Sequence, residues 1–159
     1  MGILDVFKTK PNKNSFFKKG NKCLGCGKYD EAIEYFDEGL KIDLEDSKLW
    51  NNRGVALDNI GKKKEAFKSF DKASKLDPKH FRSWENKGLI SFDNGEYENA
   101  LNCFNKSITI NPKYIKAWHG KGLVLGKMNK NKEAIECFDK VLAMDSKFIG
   151  AWHAKDWLL

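Results

Sequence analysis

The 159 residues amount to about one domain's length, and an apolar content of 41% with 13% aromatics is enough to build a core. No stretch approaches the ~18 consecutive apolar residues of a membrane span, and the short apolar start, broken by Asp5, lacks the charged lead, long apolar segment and small-residue cleavage site of a secretory leader. The net charge of +7 is lopsided: residues 1–29 carry seven lysines against Asp5, while residues 30–159 carry 22 basic and 21 acidic side chains.

Residues 1–12 therefore read as a basic tail, with Val6 standing where a myristoylation motif requires Ser or Thr. From residue 13 onward the chain repeats itself. Phe16, Trp50, Trp84, Trp118 and Trp152 are each 34 residues apart. Three further rows keep the same step: Gly20, Gly54, Gly88 and Gly122; Ala32, Ala66, Ala100 and Ala134; Phe36, Phe70, Phe104 and Phe138. Four rows in one register mean stacked copies of one supersecondary unit. The units are 13–46, 47–80, 81–114 and 115–148, followed by one more helix over 149–159 that caps the stack or begins a partial unit.

Each unit predicts two helices. In the third, Trp84, Gly88 and Ser91 share one face, Asn94-Gly95 breaks the pattern, and Ala100, Phe104 and Ile108 share a second face. Pro78 and Pro112 then turn the chain into the next unit. A Gly opposite an Ala lets two backbones approach closely, and the large aromatics are expected to fill the space between one hairpin and the next. No sustained period-two run predicts a strand. The fold class is all-α, and the whole of residues 13–159 forms one array.

With these rows in place, the chain resembles the tetratricopeptide repeat (TPR) family, over four full units and the first helix of a fifth. The first unit departs from the motif with Phe16 for Trp and Leu44 for Pro, the fourth with Ser146 for Pro, and the fifth with Asp156 for the row's Gly. The resemblance implies a right-handed α-α superhelix, or solenoid, whose concave surface is lined by first helices and binds peptides.

Helical phase then selects groove positions. Two before the Trp stand Asn14, Lys48, Arg82, Lys116 and Gly150; one after stand Phe17, Asn51, Glu85, His119 and His153; two after stand Lys18, Asn52, Asn86, Gly120 and Ala154. Farther along come Asn21, Val55, Leu89, Leu123 and Trp157. These rows read as a basic stripe (Lys48, Arg82, Lys116), an amide ladder (Asn51, Asn52, Asn86) and a floor growing more apolar toward the C-terminus through Leu89 and Leu123. Asparagines both donate and accept, which suits an extended backbone, and the cations suit an acidic segment. By the same resemblance, Asn21, Asn52 and Arg82 match three of the five positions of a carboxylate clamp for chaperone tails. Phe17 and Asn86 stand where its two other cationic contacts are expected, which weighs against that ligand.

Nothing points to chemistry. Cys23-Leu-Gly-Cys26 ends a first helix, and Cys103 and Cys137 are equivalent residues of adjacent second helices, roughly 8–10 Å apart by helix spacing and too far for a relaxed disulfide. The four thiols read as free, as in a reducing compartment. His119 and His153 share a row without a third metal ligand. No catalytic triad, phosphate loop or zinc motif appears. The reading is a cytoplasmic, non-enzymatic scaffold without cofactor or metal, holding a protein partner through an extended or helical peptide segment. Arginine, the usual reader of bases, occurs only as Arg53 and Arg82, which argues against nucleic acid as the main partner. The N-terminal lysines keep an acidic-surface role open. The run Trp157-Leu158-Leu159 keeps self-assembly through 149–159 open.

Overall fold

The computed structural model describes residues 12–158. The basic tail, all but its last residue, and Leu159 lie outside the described residues. Within them are nine helices and no strand: α1 Lys13–Gly25, α2 Tyr29–Ile42, α3 Ser47–Asn59, α4 Lys63–Leu76, α5 Phe81–Asp93, α6 Tyr97–Ile110, α7 Ile115–Lys127, α8 Asn131–Met144 and α9 Ile149–Leu158. Consecutive helices pack as antiparallel hairpins, and the hairpins stack in chain order into an all-α superhelix.

Two turn chemistries recur and set the period. At the end of each first helix one residue adopts a left-handed backbone: Gly27, Gly61 and Gly95 at φ of 73° to 78°, and Asn129 at 59°. The following N–H reaches back to a carbonyl of the last helical turn, as in Lys28 to Cys23 and Glu96 to Ser91, which closes a Schellman motif. Asparagine is the non-glycine residue that tolerates this conformation best, so the fourth hairpin turns without a glycine.

The second helices end on Asp43, Asp77, Asn111 and Asp145. Each side chain accepts from the N–H two residues on, at 3.0, 3.0, 3.2 and 3.0 Å. These Asx turns redirect the chain whether or not a proline follows, which is why units one and four manage with Leu44 and Ser146.

The aromatic rows divide their labour differently from the sequence expectation. Phe36, Phe70, Phe104 and Phe138 form the fully buried spine. Each rests on a first-helix glycine: a Cβ added at Gly20, Gly54 or Gly122 would lie 2.4–2.6 Å from the facing ring. The tryptophans fill the space between hairpins only in part, Trp50 and Trp118 packing against clusters that reach the neighbouring hairpin. They are half-buried at the outer seam, and Trp152 is 49% exposed. Each indole Nε1–H donates to the carbonyl six residues back, of Leu44, Pro78, Pro112 or Ser146, at 2.8–3.0 Å. An N–H that needs a partner keeps the indole at the edge and pins the inter-unit turn. Lysine ammoniums cover the outer faces, Lys106 at 4.1 Å from the Trp84 centroid and Lys140 at 4.2 Å from that of Trp118.

Neighbouring units are also tied by ion pairs sixteen residues apart. Arg53 meets Asp37, Lys87 meets Asp71 and Lys155 meets Asp139, each at 2.6 Å. Cys103 and Cys137 are buried, Cys23 is half-buried and Cys26 exposed, all as free thiols. Burial pushes the Cys103 and Cys137 thiols up from their ordinary range.

Candidate functional site

Curvature decides which face can enclose a partner. Successive first helices touch one another (α1 with α3, α3 with α5, α5 with α7, α7 with α9), whereas among the described residues successive second helices do not touch. Elements that stay in contact lie on the shorter radius, so the first helices line the concave side. Lys48, Arg82 and Lys116 are exposed there, one on each of α3, α5 and α7.

The row after the tryptophans lies deeper than its helical phase suggests. Asn51 and Glu85 are each 5% exposed, sunk where adjacent first helices meet, and His119 is half-buried. The amides are bonded mainly to each other. Asn86 Nδ2 donates to Asn51 Oδ1 at 3.2 Å, Asn51 Nδ2 to Asn52 Oδ1 at 3.0 Å, and Asn52 Nδ2 to Asn21 Oδ1 at 2.6 Å. Ser83 Oγ donates to the same Asn51 oxygen at 3.1 Å and stands 2.6 Å from His80 Nδ1. This chain crosses α5, α3 and α1 along the groove floor. It orders the floor and leaves one N–H each of Asn52 and Asn86, and both of Asn21, for a partner.

At the centre, Glu85 interrupts the amide row. Burial pushes its carboxyl up from the usual range, and the fields of Lys116 and Arg82 with the Tyr114 hydroxyl only partly offset that. Tyr114 OH donates to Glu85 Oε2 at a long 3.4 Å. Burial first, then the Glu85 charge, push the phenol up to about 12. Phe81 packs edge-on against Tyr114 with centroids 4.8 Å apart, holding the phenol in place.

Toward the C-terminus polarity fades. Leu89 is 39% exposed and Leu123 half-buried. The His119 ring packs 5.0 Å from Phe148 and 5.8 Å from Phe138, and burial lowers its pKa despite a hydrogen bond with the Gly150 backbone. The structure thus joins Asn21, Asn51, Asn52 and Asn86 into one network, sets Glu85 between Arg82 and Lys116, and places His119 with Leu123 in an apolar end. Lys48 has no ion-pair partner among the described residues. Sequence reasoning missed Ser83, His80 and Tyr114; the departure of Ser83 from the apolar row of Leu49 and Ala117 was the available signal. Among the described residues, no three His, Cys, Asp or Glu side chains converge as metal ligands, and no helix is long and apolar enough to cross a membrane.

Known proteins supply the frame for this geometry. No curated protein matches the sequence. Among solved structures, MamA from Desulfovibrio magneticus RS-1 is similar at 25% identity and a TM-score of 0.83, over 92% of this chain and 82% of that one. YrrB, described as a TPR protein with an unusual peptide-binding site, is similar at 22% identity and 0.79, over 91% and 74%. Pseudomonas aeruginosa PilF is similar at 22% identity and 0.85, over 92% and 67%. Tetratricopeptide repeat sequence models match residues 14–46, 47–80 and 115–148, and a TPR repeat model matches 88–129. With the repeated rows, the hairpin stack and these matches in agreement, the chain belongs to the tetratricopeptide repeat family.

Proposed function

We propose that this chain is a non-catalytic scaffold that grips a peptide segment of a protein partner along its concave face. The TPR array is a protein-interaction frame; the observation that carries the finer reading is the preorganised floor. Four asparagines are fixed by their mutual bonds, so the three half-buried ones, Asn21, Asn52 and Asn86, offer donors and acceptors to an extended backbone with little entropy left to lose. Lys48, Arg82 and Lys116 stand exposed above that floor and favour an acidic segment. The peptide-binding description of YrrB is a fold-level parallel at 22% identity.

The test is affinity capture from source-cell lysate, with mass-spectrometric identification, by the native chain and by a Lys48/Arg82/Lys116→Ala variant. A partner retained by the first and lost by the second supports the groove. A partner held equally by both moves the site elsewhere.

A second reading draws on α9, where Ile149 is 68% and Trp157 73% exposed. Such a face suits end-to-end stacking of copies. Leu158 packs into the last core cluster, so Ile149→Ser with Trp157→Ser isolates the exposed face better than a change at Leu158. Concentration-dependent size lost in that variant would support assembly; a monomer at all concentrations would remove it.

A further inference from the structure

The concave face ends in a well. Between α7 and α9 the groove opens into a cavity of about 430 Å³, walled by Phe92, His119, Leu123, Phe138, Trp157 and Leu158. Two glycines are among its walls. Gly126 stands where the other units carry Leu24, Asp58 and Phe92, and Gly150 where they carry Asn14, Lys48, Arg82 and Lys116. The rest of the floor is polar and bonded largely to itself, whereas this end presents ring faces and aliphatic carbons. Its volume falls in the range of about 300–1,000 Å³ typical of small-ligand pockets and suits a large side chain better than a bare backbone.

One lysine stands in its wall: the Lys127 ammonium sits 5.8 Å from the Trp157 ring centroid, and Lys116 lies one turn before His119 on α7. Neither lysine is ion-paired among the described residues. An apolar hole with an unpaired lysine in its wall and a second one turn away along α7 is complementary to a bulky apolar side chain flanked by carboxylates.

Building on the groove reading above, we propose that the α7–α9 well is the anchor site, taking one aromatic or branched apolar side chain from a partner segment whose adjacent residues are acidic. Anchors that fill a desolvated pocket carry most of the energy of such interfaces. The two lysines then orient the segment and speed its capture.

The structure supplies a clean way to plug the well. A Cβ at Gly126 would meet Leu158 Cδ2 at 3.5 Å, ordinary contact, on a helical residue without a left-handed backbone. Gly126→Leu therefore fills the cavity while favouring the helix. The probes are short fluorescein-labelled peptides rich in Asp and Glu with a central Phe, Trp, Leu or Ala, read by fluorescence anisotropy. Circular dichroism checks that each variant is folded.

The native chain is expected to prefer the Phe, Trp or Leu probe over the Ala probe by at least about tenfold. Gly126→Leu should abolish that preference and leave the Ala probe's affinity unchanged. Lys48/Arg82/Lys116→Ala should weaken all probes. Equal binding of Phe and Ala probes, a preference that survives Gly126→Leu, or binding of no probe overturns the anchor. If the preference is absent while the triple variant still loses binding, the groove reading stands and the anchor falls. Sedimentation of the native chain as a dimer that Gly126→Leu dissolves would make a second copy the occupant and overturn the proposal as well.

Discussion

The first-helix glycines give the sharpest quantitative test of the fold, because one substitution should have different signs at different sites. A Cβ at Gly54 would lie 2.6 Å from Phe70 Cε1 and 2.8 Å from Cδ1, and at Gly122 it would lie 2.5 Å from Phe138 Cε1. Both rings are at most 2% exposed and have no space to retreat. Overpacking of that kind costs about 1–3 kcal/mol, against a gain of up to about 1 kcal/mol for replacing a helical Gly with Ala. The net expectation at Gly54 and Gly122 is a loss of about 0–3 kcal/mol. At Gly88 the nearest atoms are 3.2 Å away, so the two effects should nearly cancel. At Gly126 the nearest is 3.5 Å, and Ala should stabilise by about 0.5–1 kcal/mol.

Urea unfolding followed by circular dichroism would rank the four variants, with the slopes compared because repeat arrays can unfold in stages. Thermal midpoints should spread by about 2–4 °C per kcal/mol. Equal shifts for Gly54→Ala and Gly126→Ala, or a stabilised Gly54→Ala, would refute the ring-on-glycine packing.

Three further expectations come from single departures within the rows. Glu85, buried with its pKa held above the unfolded value, adds stability below the ordinary Glu range and loses it as pH rises through the folded pKa. Glu85→Gln should therefore raise the thermal midpoint at neutral pH and have little effect near pH 4; a midpoint lowered at neutral pH would show that the charge is needed. Asn105 occupies the row of Asp37, Asp71 and Asp139, opposite Lys121, so Asn105→Asp should complete the series of inter-unit pairs. It should gain about 0.2–1 kcal/mol in urea unfolding at low salt and lose most of that gain in high salt. Ser107 Oγ is buried without a partner among the described residues, where the equivalent positions are Ala73 and Val141. Ser107→Ala should stabilise by about 1 kcal/mol in the same assay.

The path from sequence to fold was short because sterics dictate it. Gly54 beside Phe70 is a backbone approach that no larger residue allows, and it recurs at 34-residue intervals, so the period exposes the packing. Inter-unit turns were legible where Pro78 and Pro112 announce them. At Leu44 and Ser146 the signal was the preceding Asp, whose side chain makes the turn. The tryptophans misled because size suggested a core filler, while the indole N–H required a partner at the rim.

The site was harder to read. Phase alone places Asn51 and Glu85 on the first-helix face away from the hairpin's own core, but how deep they lie depends on how closely α3 approaches α5 and α5 approaches α7. That is a property of superhelical curvature, which one unit's sequence does not contain. The amide chain from Asn86 to Asn21 spans three helices and emerges only when they are stacked. The C-terminal well was partly visible as a loss of side chains at Gly126 and Gly150.

The most direct test of the central claim compares two faces at equal charge. Once a partner segment has been captured, its affinity should be measured calorimetrically against the native chain, Lys48/Arg82/Lys116→Ala on the concave face, and Lys68/Lys72/Lys140→Ala on the outer helices. A concave-face binder predicts a loss of about tenfold or more for the first variant and near-native affinity for the second. A loss confined to the outer-face variant, or the same loss in both, would contradict it.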